Sequence, residues 1–157
     1  MLAKGQLDQA AKGIKEVRRE DPDNEQAHYI MGEIALRQSK PLEAIFELRQ
    51  VIKEQPEFLK AYTSLARAHF QNNEPQNAIQ VLSQVLKNDH TFAPAREALA
   101  DHYIRQGKWD QAEDHLKVLL EQHPRKHAYR LTLGDVYLSQ GKSAQAREEY
   151  RAVQQQE

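Results

Sequence analysis

A step of 34 residues governs this sequence. Ala10, Ala44, Ala78, Ala112 and Ala146 stand one step apart. So do Ile14, Leu48, Leu82, Leu116 and Tyr150, and so do Val17, Val51, Val85, Leu119 and Val153. Pro22, Pro56 and Pro124 share the grid, with His90 on the rung between the last two. Self-similarity at such a period describes a small unit that cannot bury its apolar face alone and stacks on copies of itself.

Within a unit the apolar spacing is helical. Ala44, Leu48 and Val51 follow each other by four and three, which places them on one face of a helix. The proline beyond that stripe cannot continue the helix. A second stripe precedes it in each unit: Met31, Gly32 and Ala35, then Leu65, Ala66 and His69, then Leu99, Ala100 and Tyr103, then Leu133, Gly134 and Tyr137. Each sets a small residue beside a large one, so that two backbones can approach. The two stripes are joined by Gln38-Ser39-Lys40, Asn72-Asn73-Glu74, Gln106-Gly107-Lys108 and Gln140-Gly141-Lys142, where Gly or Asn suits a left-handed helix end. Pro41 and Pro75 fall in the first turn of the next helix, where a missing N–H costs little. Each unit therefore reads as helix A, tight turn, helix B and loop.

Length and pattern together resemble the tetratricopeptide repeat family. The best local match is Leu133-Gly134 with Tyr137, then Gly141, then Ala146 and Tyr150. The resemblance spans essentially the whole chain. It implies an all-α fold, a right-handed superhelical solenoid of antiparallel helix pairs, with repeats at about 1–24 (partial), 25–58, 59–92, 93–126 and 127–157 in a single array over 1–157. The chain departs from the family at the aromatic that opens helix A, where it has His28, Tyr62, Arg96 and Arg130. His90 in place of proline is expected to loosen the third loop, with Pro94 restarting the next helix. Leu2 aligns with Leu36, which puts Met1 near the end of a helix A and suggests a segment of a longer protein.

The bulk composition narrows the function. Lys and Arg total 22 against 23 Asp and Glu, a formal net charge of −1 in 157 residues. There is no basic excess for nucleic acid, and repeats three to five carry +1, 0 and 0. No apolar run approaches the roughly 18 residues of a spanning helix. The first residues lack the pattern of a signal peptide, which leaves cytoplasm and periplasm both open. With no cysteine there is neither disulfide nor thiolate metal site. His123 and His127 are four apart, but Pro124 falls between them and no third ligand is evident, so both read as loop histidines. Asp101 and His102, being adjacent, diverge around a helix and read as exposed rather than as an acid–base pair. No phosphate loop or nucleophile elbow is present. Trp109 reads as a packing residue at the start of a helix B. No enzyme, cofactor, metal or catalytic residue is predicted.

The resemblance implies a concave face lined mainly by helix A. Carried over residue by residue, a charged row runs Glu33, Arg67, Asp101, Asp135, and an apolar row runs Leu36, Phe70, Ile104, Leu138. Beside them stand Tyr29, Thr63, Glu97 and Leu131, with Lys60 and Arg105 among the flanking cations. Apolar anchors among charges of both signs suit an extended peptide or a partner helix. The predicted function is a protein–protein interaction scaffold binding such a partner in that groove. The alternative is the non-catalytic repeat portion of a larger bacterial enzyme or polysaccharide-secretion protein, and an RNA-binding array is disfavoured by the charge. Residues of the outer helix B face, such as Glu47 and Gln80, are expected to be exposed. Family members that bind the acidic C-terminal peptides of heat-shock chaperones use a clamp of Lys, Asn and Arg. The matching positions here are Tyr29, Glu33, Ser64, Pro94 and Ala98, or one unit later Thr63, Arg67, Ala98, Ala128 and Thr132, so no such binding is expected. The stripe of Leu7, Ala10, Ile14 and Val17 lacks part of its cover, which predicts a homodimer through terminal repeats.

Overall fold

The structure is a computed structural model that describes residues 4–154. Among these the chain forms nine helices and no strand: α1 (Lys4–Glu20), α2 (Glu25–Arg37), α3 (Pro41–Glu54), α4 (Leu59–Gln71), α5 (Pro75–Asn88), α6 (Ala93–Arg105), α7 (Trp109–Gln122), α8 (His127–Ser139) and α9 (Ser143–Gln154). Helices α2, α4, α6 and α8 begin one 34-residue step apart. They are the A helices of the repeat, and α1, α3, α5, α7 and α9 are the B helices.

The turn chemistry explains how each A helix folds back into its B helix. Ser39, Asn73, Gly107 and Gly141 all have positive φ, between 57° and 76°. Beyond each, a backbone N–H returns to a carbonyl of the last helical turn: Lys40 to Ala35 at 2.9 Å, Glu74 to His69 at 2.9 Å, Lys108 to Tyr103 at 2.9 Å and Lys142 to Tyr137 at 2.8 Å. That is the Schellman closure, which satisfies carbonyls that the ending helix leaves open. Ser39 adopts it without the freedom of Gly or the side-chain amide of Asn, because the antiparallel packing of α2 on α3 fixes the direction of the chain. Pro41 and Pro75 open α3 and α5, and Pro22, Pro56 and Pro124 each lie two residues past the end of a B helix.

The chain divides into two compact units, Met1–Val85 and Leu86–Glu157, with the division inside α5. In the first unit Ala35, Leu36, Ala44, Ile45, Leu48, Leu65 and Ala68 form a buried cluster, flanked by Tyr29, Ile52 and Val81. In the second, Ala100, Ala112, Leu116, Leu119, Tyr129, Leu133, Val136, Tyr137 and Ala146 form another, and Trp109 packs against it with Tyr103, Ile104 and Tyr150. The alanine ladder sits at the helix crossings: Ala44, Ala78, Ala112 and Ala146 are all 0% exposed. The small residues of the A helices serve the same approach. A Cβ on Gly32 would stand 2.7 Å from Leu48 Cγ, and one on Gly134 would overlap the Tyr150 ring.

The first repeat departs from its alignment. Gly5 occupies the position of Ser39, Asn73, Gly107 and Gly141, yet α1 runs helically through Lys4, Gly5 and Gln6. A left-handed residue is stabilised by the helix that folds back across it, and no A helix precedes α1 among the described residues. Leu2, the expected first rung of the apolar row, lies outside the described residues. Glu47 also departs from expectation. It is 8% exposed, held by Arg18 at 2.8 Å and by the His28 ring at 2.6 Å. The side chains of Arg18 from α1 and His28 from α2 close over it, so it is not a residue of the open outer face. Gln80 is exposed, as expected.

Candidate peptide-binding faces

In the first unit the A-helix face is built on α2 and α4, which touch one another. The Arg67 guanidinium donates to both carboxylate oxygens of Glu33, at 2.9 and 2.8 Å, and the Ser64 hydroxyl donates to the same carboxylate at 2.5 Å. Glu33 is thereby held from two directions, while Arg67 keeps 52% of its side chain in solvent. Because the single nitrogen Nη2 makes both bonds, the half-exposed pair leaves the rest of the guanidinium to a ligand, although the pair itself adds little stability. Tyr29 packs edge-on to Phe58 with centroids 5.0 Å apart. Lys60 is exposed and its carbonyl accepts from the Thr63 hydroxyl at 2.9 Å. Phe70 is half-buried. Leu36 is a correction: at 3% exposure it belongs to the core, covered by Leu65 and Ala68 of the next A helix, and offers nothing to a ligand.

In the second unit the face is built on α6 and α8. A cleft of about 300 Å³ opens between them, lined by Asp101, Ile104, Tyr129 and Thr132, with the core residues Leu116 and Leu119 of α7 buried beneath it. At one rim Lys126 donates to Glu97 at 2.9 Å and to the Tyr129 hydroxyl at 2.7 Å, and the Tyr129 hydroxyl donates to Glu97. The ammonium also lies 4.2 Å from the centre of the Tyr129 ring. Burial alone would push the Glu97 carboxyl up, but the hydrogen bonds from Tyr129 and Lys126 and the Lys126 charge hold it below its usual range. Asp101 pairs with Arg105 one turn on. Asp135 accepts from the Tyr150 hydroxyl at 2.7 Å. Leu131 and Leu138 stand 44% and 51% exposed on α8. Leu138 occupies the rung of the buried Leu36 but has no following A helix to cover it among the described residues.

The His123 ring packs obliquely near Tyr129, with centroids 6.2 Å apart, and His127 opens α8. The His102 ring packs edge-on to Tyr103, with centroids 5.5 Å apart. Among the described residues no group of three or more His, Asp and Glu side chains is placed to hold a metal. No described helix is long and apolar enough to cross a membrane.

A tetratricopeptide repeat family model matches residues 2–48 and 97–156, more than half of the chain. The chain belongs to the tetratricopeptide repeat family. A model described as anaphase-promoting complex, cyclosome, subunit 3 matches residues 43–119. Among solved structures, a crystal structure of MamA protein superposes with a TM-score of 0.80 at 24% identity, covering 98% of this chain and 84% of that one. MamA 41-end from Desulfovibrio magneticus gives 0.80 at 18% identity, with 98% and 86% covered. A thermophilic TPR protein of Thermus thermophilus gives 0.71 at 22% identity, with 97% and 84% covered. At these identities the likeness is one of fold. No curated protein sequence matches the chain.

Proposed function

We propose that this tetratricopeptide repeat chain is a non-enzymatic interaction scaffold, and that its A-helix faces take an extended peptide or a partner helix. The observation that carries the reading is the α6–α8 face. There a cleft lined by Ile104, Tyr129 and Thr132 lies beside a fixed carboxylate–ammonium–phenol cluster, while Leu131 and Leu138 remain open on α8. Apolar anchors supply buried area, and fixed polar groups set register. In the first unit the half-buried Phe70 follows Arg67, the cation of the Glu33–Arg67 pair, by one turn of α4. A second copy of the chain is a further partner on this reading, meeting the apolar stripe of α1. The test begins with a partner recovered by affinity capture on the full chain and then titrated calorimetrically. Leu138→Gln, Phe70→Ala and Arg67→Gln should each weaken binding, and Gln80→Ala should not. A partner that ignores all three face substitutions overturns the reading.

A further inference from the structure

The repeat supplies its own internal comparison for the outer side of the B helices. The counterparts of Leu42 are Asp8, Gln76, Asp110 and Ala144, and those of Phe46 are Lys12, Gln80, Asp114 and Glu148. None of the eight is a large apolar residue, and none is buried. The fold therefore makes no packing use of an apolar side chain at either position. Helix α3 nevertheless carries Leu42 at 68% exposure and Phe46 at 57%. Four residues apart, the two stand together on one face. Large apolar side chains grouped in solvent mark an interaction surface more often than scattered ones do.

Leu42 and Phe46 form one wall of a cleft of about 750 Å³, wholly within the first unit, between α1, α2 and α3. Lys12 and Lys15 of α1 line the same cleft. The other charges in the lining have partners. Arg18 is spent on Glu47 at 2.8 Å, Lys40 on Glu43 at 3.1 Å, and Asp8 accepts from the Gln38 amide at 2.9 Å. Lys12 and Lys15 have no anionic partner among the described residues. The cleft thus combines two open apolar anchors with two uncommitted ammonium groups.

We infer that this cleft, separate from the A-helix faces, docks an acidic amphipathic helix of a partner protein, whose apolar stripe seats on Leu42 and Phe46 and whose carboxylates meet Lys12 and Lys15. A helix with apolar residues at i and i+4 presents a ridge that enters a cleft, and carboxylates beside that ridge reach the α1 wall. An anionic bilayer also combines apolar and negative character. It presents a broad flat surface, however, whereas Leu42, Phe46, Lys12 and Lys15 face into a cleft that a single helix can enter and a bilayer cannot.

The probe is a synthetic helical peptide of about 18 residues, five turns, with leucines along one face and glutamates flanking them. A second peptide carries lysine in place of every glutamate. Fluorescence anisotropy with the full chain should show the acidic peptide binding at least about tenfold more tightly than the basic one. L42Q together with F46Q installs the residues that the next repeat carries, Gln76 and Gln80, so the fold is kept. A thermal melt checks this. That variant should lose about tenfold or more in affinity for the acidic peptide. K12E with K15E should weaken the acidic peptide and strengthen the basic one, an inversion that a merely unfolded variant would not give. Equal binding of the two peptides, no binding of the acidic one at about 1 mM, or unchanged binding to the glutamine variant overturns the proposal. So does sedimentation with phosphatidylserine vesicles, or a change in oligomeric state, that depends on Leu42 and Phe46 while the acidic peptide stays unbound.

Discussion

Arg130 of α8 donates to Glu149 of α9 at 2.9 Å, on the rung of the repeat where His28 of α2 meets Glu47 of α3 at 2.6 Å. Both pairs are separated by 19 residues and lie three repeats apart. The family places an aromatic at the A-helix position. Here a basic side chain replaces it, and a carboxylate answers from the B helix. In the repeat between, the same two positions are Tyr62 and Val81. On the remaining rung they are Arg96 and His115, which cannot form an ion pair. Arg96 turns instead to the His90 carbonyl, at 3.0 and 2.7 Å, tying the loop that lacks its proline. His115 stacks on Tyr103 with centroids 5.8 Å apart, and burial, then the Arg96 charge, pushes its pKa down.

The pairing makes Glu47 a structural residue. Glu47→Val leaves His28 and Arg18 without their carboxylate in a site where Glu47 itself is 8% exposed. Loss of one member of such a buried cluster typically costs about 2–4 kcal/mol. Adding His28→Tyr installs the pair found in the next repeat and should recover part of that loss, since Arg18 can turn to solvent. Urea unfolding of both variants measures the effect. A double variant no more stable than Glu47→Val alone would show that the rung is not exchangeable between repeats.

Acid should weaken the second unit through Glu113. Burial raises its pKa, but hydrogen bonds from Lys117, Lys142 and Gln140 outweigh this and lower it to about 2, from an ordinary value of 4.5. A depressed carboxyl contributes stability that is fully present above pH 4.5 and is lost as pH falls from there through about 2. Both lysines are substantially exposed, so screening reduces the contribution to on the order of 1–2 kcal/mol. Glu113→Gln should therefore flatten the stability curve across that window and lower the plateau above it. Denaturant midpoints from about pH 2 to about pH 6 test this, and an unchanged slope would count against it.

Two glycines are required by contact and one is not. Gly32→Ala drives a methyl into Leu48, which is 0% exposed and has nowhere to move, and Gly134→Ala meets the Tyr150 ring. Overpacking of this kind costs about 1–3 kcal/mol. Gly13 lies inside α1, and a Cβ there would meet nothing within 4 Å. Gly13→Ala should therefore stabilise by about 0.5–1 kcal/mol through helix propensity alone. Thermal melts of the three variants should separate by sign.

No micromolar binding of chaperone C-terminal peptides is expected. The first frame of the clamp supplies Tyr29, Glu33, Ser64, Pro94 and Ala98, none of them cationic. In the second frame Arg67 is present, but its Nη2 already donates to both carboxylate oxygens of Glu33. A terminal carboxylate would lack the clustered charge-assisted hydrogen bonds that hold it. Calorimetry with an acidic chaperone-tail peptide should give no heat beyond dilution.

The ladders make the helices and their order legible, because apolar period and turn residues act locally and repeat. Ala44, Leu48 and Val51 can be placed in the core from spacing alone. The polar contacts cannot. Glu47 lies one position from Leu48, and spacing gives no sign that Arg18, 29 residues earlier, reaches it. Leu36 shares a row with Leu138, yet one is 3% and the other 51% exposed. Their difference lies in whether another A helix packs on top, a tertiary fact that a row of equivalent positions hides. Leu42 and Phe46 do stand out in the sequence, because their rungs carry no large apolar residue in any other repeat, and their exposure of 68% and 57% agrees.

The α1 stripe should drive self-association. Ala10 is exposed and Val17 is 43% exposed, whereas their counterparts Ala44, Ala78, Ala112 and Ala146 are at 0% and Val51 and Val85 at 1%. Leu7 is covered and Ile14 half-covered, so the stripe opens beyond Leu7. Ala146 on α9 is buried, and Tyr150 and Val153 are half-buried, which leaves that helix less to offer. Residues that pack between helices elsewhere in the repeat have the shape and spacing to accept a helix from a second copy. The stripe lies on a different side of α1 from Lys12 and Lys15, so dimerisation and the cleft are separable. Sedimentation equilibrium over a concentration series should show a monomer–dimer equilibrium that Val17→Lys with Ala10→Lys shifts to monomer. Leu42→Gln with Phe46→Gln should leave it unchanged. A clean monomer at several hundred micromolar would show that the open part of the stripe is too small to hold two chains together.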